Sequence, residues 1–268
     1  MASFSVVNNI ASANAQANLV DTNAGLRTAL NRLSSGLRIN NSGDDAAGLA
    51  LANTYRGKVA VLNQGIRNAN DGLSTLQIKD GALNNISNLL DRLATLASQS
   101  ASTSSTVDRT KLNNEFKSVL DEIDREANVA GLATTSTFSV FVSNDGSNGT
   151  VGGTIARADT ASGGLAITGL KVDTDVSAAA AVGTIATAVG LLGTAQGNVG
   201  ALQNRLQFAI GLAQSQAVNN KAAESRIRDA NVAEESANMT RYNILTQSGI
   251  AALSQANQSS AAVLSLLR

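Results

Sequence analysis

No proline occurs anywhere in the 268 residues. Proline is the residue that interrupts the i→i−4 hydrogen-bond ladder, so a chain without it can run helices of any length. The spacing of apolar residues then decides where those helices lie. Leu19, Asn23, Leu26, Leu30, Leu33 and Leu37 alternate by four and three, which is one face of a helix. Gly36 and the run Asn40-Asn41-Ser42-Gly43 break it, and Asp44 or Asp45 is placed to cap the helix that follows.

The next seam is longer. Val59, Leu62, Ile66, Ala69, Leu73, Leu76, Asp80, Leu83, Ser87, Leu90, Ala94 and Ala97 keep a mean step of about 3.5, the spacing of a coiled coil. Asp80 and Ser87 enter this seam as weak layers. Interior Gly65, Gly72 and Gly81 each lower helix propensity by about 1 kcal/mol, so tertiary packing must hold the helix. Ser105 with Asp108 fits a capping box. Leu112, Phe116, Val119 and Ile123 form the next apolar face, and Gly131 is a natural stop. Residues 57–98 and 108–130 thus read as a helical hairpin.

The pattern changes over 133–175. Thr137 to Val142 is rich in β-branched and aromatic residues, Asn144-Asp145-Gly146 supplies turn chemistry, and Gly163 to Val172 is the expected returning strand. Helix resumes near Ser177 with Val189, Leu192, Ala195, Val199, Leu202, Leu206, Ala209 and Ala213 on one face. Tyr242, Leu245, Gly249, Leu253, Ala256, Ser260, Val263 and Leu267 form the last face. The expected fold is mainly α: a long antiparallel helical bundle or coiled coil from both chain ends, with a small β-hairpin region in the middle.

Composition narrows the function. There is no histidine, cysteine or tryptophan, which removes the commonest general base and metal ligand, thiolate metal sites and disulfides. Twenty basic residues balance twenty acidic ones. No basic field exists to hold nucleic acid, and copies of the chain do not repel each other at long range. No cofactor, metal or catalytic residue is expected. Met1 to Val20 carries no charge and lacks the basic region and apolar core of a secretory signal; some export routes read such a Ser/Asn/Ala-rich start. Val176 to Asn204 is uncharged and contains a GxxxG spacing at Gly193 and Gly197, but Ser, Thr, Gln, Asn and Gly dilute it, so no membrane span is expected.

Other groupings have plain readings. Asp121, Glu122, Asp124 and Glu126 lack the loop glycine and oxygen spacing of a calcium loop, so with Arg125 they read as a solvated helix face. Asp44-Asp45 and Glu234-Glu235 read as caps or surface pairs. Arg226 and Arg228 read as ion-pair partners, within the chain or between copies. Asn148-Gly149-Thr150 fits a glycosylation pattern, and the Ser/Thr-rich stretch from Thr134 to Thr160 could carry O-linked sugars.

Two signatures at opposite ends bear a family resemblance. Asn31-Arg32-Leu33-Ser34-Ser35-Gly36-Leu37-Arg38-Ile39-Asn40, followed by Asp44-Asp45-Ala46-Ala47-Gly48-Leu49-Ala50, resembles the N-terminal signature of bacterial flagellin. Glu224-Ser225-Arg226-Ile227-Arg228-Asp229-Ala230, Ser254-Gln255-Ala256-Asn257-Gln258 and Val263-Leu264-Ser265-Leu266-Leu267 resemble the C-terminal one. Asn231 stands where the family often has Asp, Ser42-Gly43 replaces a common Ala-Lys pair, and the variable outer domains of long flagellins are missing.

The resemblance implies a filament subunit for swimming motility, secreted and extracellular, with ends that fold on assembly. It implies an inner-core helix at 1–44 pairing with 222–268. It implies an outer-core domain from 45–132 and 178–221, around a hairpin or variable region at 133–177. The self-assembly interface is expected at Leu26, Leu30, Leu33, Leu37, Arg38, Asp44, Arg226, Leu245, Leu253, Val263 and Leu267. Implied partners are further copies of the chain, an export chaperone, the filament cap and hook-associated proteins. An innate immune receptor, toll-like receptor 5, contacts the family at positions that align with Arg92, Leu96 and Glu115. The rival readings are a hook–filament junction protein and a helical membrane-associated module using 176–204.

Overall fold

The computed structural model describes residues 8–103, 108–143 and 146–266, with 147–148 and 260–266 as backbone only. The elements are α1 (Ile10–Ser35), α2 (Ala46–Ser100), α3 (Arg109–Val129), β1 (Ser136–Phe141), a single 3-10 turn (Gly146–Gly149), β2 (Thr150–Ile155), α4 (Asp175–Arg228) and α5 (Val232–Leu266). The chain divides into two compact units, one of residues 1–57 with 220–268 and one of residues 58–219.

In the 58–219 unit, α2, α3 and α4 bury a common core. The α2 and α3 axes run antiparallel: Asn85 Nδ2 donates to Glu126 (2.9 Å) and Arg92 Nε to Glu115 (2.9 Å). Gln196 Nε2 of α4 donates to Asn84 Oδ1 of α2 (3.2 Å). The buried seam of α2 runs Leu62, Gly65, Ala69, Gly72, Leu76, Leu83, Ile86, Leu90, Leu93, Ala97 and Ser100, with half-buried Lys79 completing the series; Ala52, Ala82 and Leu96 are buried outside it. The series is an unbroken three–four alternation, the heptad seam of a coiled coil.

One row of that seam, from Leu62 to Ala97, agrees with the sequence. The second row is one position earlier than expected. Val59, Ile66, Leu73, Asp80, Ser87 and Ala94 are only half-buried, so Asp80 and Ser87 are flanks and not weak layers. The reason is close backbone approach. A Cβ on Gly65 would lie 1.7 Å from the Val142 carbonyl oxygen, and one on Gly72 would lie 2.7 Å from Val140 Cγ2. The β-hairpin sits on the glycines, a use of glycine that apolar periodicity does not register.

The third helix starts at Asp108, whose carboxylate accepts from the Lys111 amide (3.2 Å); Ser105, the expected second half of a capping box, lies outside the described residues. Phe116, Leu120, Ile123 and Ala127 are its buried residues. It ends as the sequence predicts: Gly131 has φ +65, and the Leu132 amide reaches back to the Ala127 carbonyl (2.7 Å).

The hairpin pairs Ser136 with Ile155 through Phe141 with Thr150, antiparallel. The returning strand is therefore Thr150–Ile155, not Gly163 to Val172. Ala166 (φ 55) and Gly169 (φ 75) are left-handed, a conformation that cannot continue a strand. The segment after β2 instead packs as irregular chain, burying Ala158, Leu165, Ile167 and Val172. Its polar backbone is satisfied by turns of its own, such as the Leu165 amide on the Asp159 carbonyl (2.8 Å), and by side chains. Asp124 accepts from the Thr160 amide and hydroxyl (2.8 and 2.9 Å), Asn113 Oδ1 from the Val172 amide (3.1 Å), and the Ser100 hydroxyl donates to the Val172 carbonyl (2.5 Å).

In α4 the buried series Ala178, Ala181, Ile185, Ala188, Leu192, Ala195, Val199, Leu202, Leu206 and Ala213 repeats the three–four alternation. Ala188 takes the place expected of Val189, which is exposed. By length and composition α4 is apolar enough to cross a membrane, which corrects the expectation that its polar residues dilute it too far. Its regular apolar row is nonetheless spent on the unit's own core.

In the unit of residues 1–57 and 220–268, α1 and α5 pair antiparallel. Asn9 Nδ2 donates to the Ala256 carbonyl (3.0 Å) at one end, and Arg32 Nη1 to Glu235 Oε1 (3.1 Å) toward the other. Gly36 closes α1 with φ 72. A short backbone bridge follows: the Arg38 amide donates to the Arg228 carbonyl (2.6 Å) and the Ala230 amide to the Gly36 carbonyl (2.9 Å). Asp45 caps α2 by accepting from the Gly48 amide (2.8 Å). Asp44 instead holds the preceding turn, accepting from the amides of Asn40 and Asn41, each at 3.0 Å.

Candidate functional site

The α1–α5 pair has a narrow seam. Ala29 is the one α1 residue that is fully buried among those described. Packing is by shape: the Tyr242 ring lies over Gly25, where a Cβ would come within 2.6 Å of it, and Leu19 fills the space above Gly249. Large apolar side chains are left outside this seam, among them Ile10 (62 % exposed), Ile244 (58 %) and Ile250 (56 %). Val20 is exposed as well. Two helices cannot cover each other's whole apolar surface, because each seam takes only a stripe.

The expected interface residues divide accordingly. Leu26, Leu33 and Leu37 are half-buried in the pair, as is Leu253. Leu30 and Leu245 point away from it and are exposed; Ala29 and Thr246 hold the corresponding seam positions. The side chains of Ser260, Val263 and Leu267 lie outside the described residues. Arg38 is tied down by donating to the Ile227 carbonyl (2.9 Å). Arg226 is exposed, while Arg228 approaches Glu224 at 3.7 Å. Asp44 has its carboxyl held below the ordinary aspartate range, first by the Asn41 amide and then by that of Asn40.

The sequence did not single out Arg32 with Glu235, Gly25 with Tyr242, or Leu19 with Gly249 as contacts. Within one helix each is an ordinary residue, and only the antiparallel register joins the partners.

On the other unit, Arg92 and Glu115 form an exposed ion pair between α2 and α3. Leu96, grouped with them from the sequence, is 1 % exposed. It belongs to the core and offers no outer surface. The acidic run on α3 is occupied by the protein itself: Arg125 Nε donates to Glu122 (2.8 Å), its Nη2 to Glu126 (3.2 Å), and Asp124 holds Thr160. Lys79 donates to the Gly131 carbonyl (2.7 Å) at the end of α3, and burial pushes its ammonium pKa down.

Residues 6–138 match the bacterial flagellin N-terminal helical region, and residues 182–267 match the C-terminal helical region. The chain is similar to a flagellin of Halalkalibacterium halodurans, 35% identical over 97% of this chain and 98% of that one. It is also similar to the flagellar filament 33 kDa core protein of Treponema phagedenis, 34% identical over 95% and 96% respectively. A crystal structure of Bacillus cereus flagellin is 28% identical, with a TM-score of 0.48, covering 59% of this chain and 94% of that chain.

Proposed function

The chain belongs to the bacterial flagellin family, and we propose that it does the family's work through the apolar faces that α1 and α5 leave uncovered. It is a structural subunit of the bacterial flagellar filament, and the family's role is structural and not enzymatic. The observation that carries the mechanism is the incomplete seam: Ile10, Val20, Leu30, Ile244, Leu245 and Ile250 are exposed on the paired helices. Removing one such side chain from water is worth about 1.5–3 kcal/mol, and further copies of the same chain can supply the missing surface without any bound cofactor. Near-zero net charge lets many copies gather at small electrostatic cost.

On this reading, residues 1–44 and 222–268 make the inner layer of the filament. Residues 45–132 and 178–221, with the hairpin, make the layer around it. The chain is secreted by the flagellar export route with its chaperone and meets the filament cap and hook-associated proteins. Recognition by toll-like receptor 5 would rest on the exposed Arg92–Glu115 pair, without Leu96.

The test is seeded growth. Purified chain is mixed with filament fragments and followed by electron microscopy. The full chain elongates the seeds, whereas a version ending at Gly249 does not, because it lacks the end of α5. A full chain that stays monomeric under every salting-out condition overturns the reading.

A further inference from the structure

The apolar seam of α1 and α5 repeats every seven residues on both helices: Leu19, Leu26 and Leu33 on one, Tyr242, Gly249 and Ala256 on the other. A pairing shifted by one heptad would therefore again set apolar residues against apolar residues. Repeats of this kind specify register weakly unless a polar contact breaks the degeneracy. Shape helps at two places, where Tyr242 meets Gly25 and Leu19 meets Gly249, and the Leu37–Asp229 backbone bridge ties the chain just beyond the helix pair. Charge acts at one. Arg32–Glu235 is the sole ion pair joining α1 to α5 among the described residues, with Nη1 to Oε1 at 3.1 Å. Glu235 is only 8 % exposed, and Arg32 Nε is buried with no second acceptor.

We propose that the Arg32–Glu235 ion pair determines the register in which α1 pairs with α5, and so selects the pairing that can assemble. A slip of one heptad in either direction removes Glu235 from its cation: one sets Arg32 beside Tyr242 and carries Glu235 past the end of α1, and the other sets Glu235 beside Gly25 and carries Arg32 past the start of α5. Each slipped arrangement separates the carboxylate from its cation, and the one that sets Glu235 beside Gly25 leaves it unpaired in a half-buried seam. Breaking such a pair costs more than its formation contributes, because the desolvated charge is left behind. The pair is thus a positioning element that discriminates against wrong registers. The proposal rests on the filament reading for its consequence, since a polymer brings many copies of α1 and α5 within reach of one another and makes mispairing an available error.

The chain has no cysteine, so disulfide trapping reports register directly. Leu19→Cys with Gly249→Cys reports the observed register. Leu19→Cys with Ala256→Cys reports a one-heptad slip. Both reporters are placed in the full chain and oxidised before and after seeded growth. In the parent background the first cross-link exceeds the second at least tenfold. In Glu235→Gln or Arg32→Gln backgrounds that ratio falls at least threefold. In the charge-swapped Arg32→Glu, Glu235→Arg background it recovers, which a merely space-filling role would not produce.

An unchanged ratio in the single variants, a swap that fails to restore it, or no α1–α5 cross-link in either preparation overturns the proposal. Correct cross-linking in a chain that never elongates seeds counts against the filament reading and leaves the register assignment standing.

Discussion

At the scale of single residues, glycine has two opposite roles in α2. Gly65 is buried with the Val142 carbonyl pressed against it, while Gly81 is exposed with nothing within 4 Å of an added Cβ. Helix propensity treats the two alike; packing does not. Gly65→Ala should destabilise the chain by about 1–3 kcal/mol, since the neighbour is rigid backbone and the hairpin must lift. Gly81→Ala should stabilise it by about 0.5–1 kcal/mol, the ordinary gain of alanine over glycine in a helix interior. Urea unfolding of the two variants checks both signs; a shared sign would mean that the hairpin does not rest on Gly65. Lys79 belongs to the same row. It occupies a seam position because its stem packs inward and its ammonium reaches the Gly131 carbonyl at the end of α3.

At the scale of elements, the helix starts are set by aspartates with separate duties. Asp45 caps α2 and Asp108 caps α3, while Asp44 closes the turn between α1 and α2. Asp45→Ala should cost about 0.5–2 kcal/mol, the usual loss of a side-chain cap, read as a lower urea midpoint at unchanged slope. The carboxyls of Asp44 and Asp108 are held below their ordinary range by backbone amides, helped at Asp108 by Lys111. A depressed folded-state pKa means that the unfolded chain takes up the proton first. The stabilisation is therefore present above about pH 4, the unfolded value, and is lost as pH falls below it through the folded-state pKa. Asp44→Asn should flatten that fall. Thermal melts of the variant and its parent between pH 5 and pH 2 would show the difference narrowing on acidification; a constant gap would separate Asp44 from the acid response. The element misplaced from sequence, β2, was hidden by Gly152-Gly153. Glycine carries no strand propensity, but Gly153 passes close against Leu202 and the Gly152 carbonyl accepts from Arg205.

At the scale of the whole molecule, the two units are stabilised unequally. The 58–219 unit has a continuous core running from Leu62 to Ala213. The other unit buries little beyond Ala29, Ile39, Ala52 and Glu235. An isolated helix pair with so narrow a seam is marginal in water. Backbone amides of α1 and of 232–259 should thus exchange with deuterium at least tenfold faster than those of 62–97 in the unassembled chain. They should gain protection on seeded growth. Equal protection in both units before assembly would contradict the uncovered-face account. Much of this architecture was legible in the residues: both terminal helices, the α2–α3 hairpin, the Gly131 stop and the alternation along α4. The α1–α5 seam was legible only in part. Periodicity reports which residues share a face, but Leu30 and Leu245 sit beside the seam and not in it, a difference of one position that only a partner helix defines.

The sequence by itself determined that the chain is helical at both ends, that its seams repeat by heptads, that it carries no histidine or cysteine chemistry, and that its end signatures resemble one family. These are properties of composition and of local periodicity, which a chain has before it folds. The tertiary structure decided which of two adjacent rows faces inward, where the second strand runs, that Leu96 is core, and that Arg32 meets Glu235 across 203 residues. Those outcomes depend on how closely backbones approach and on the register between elements distant in sequence, and no local pattern encodes either.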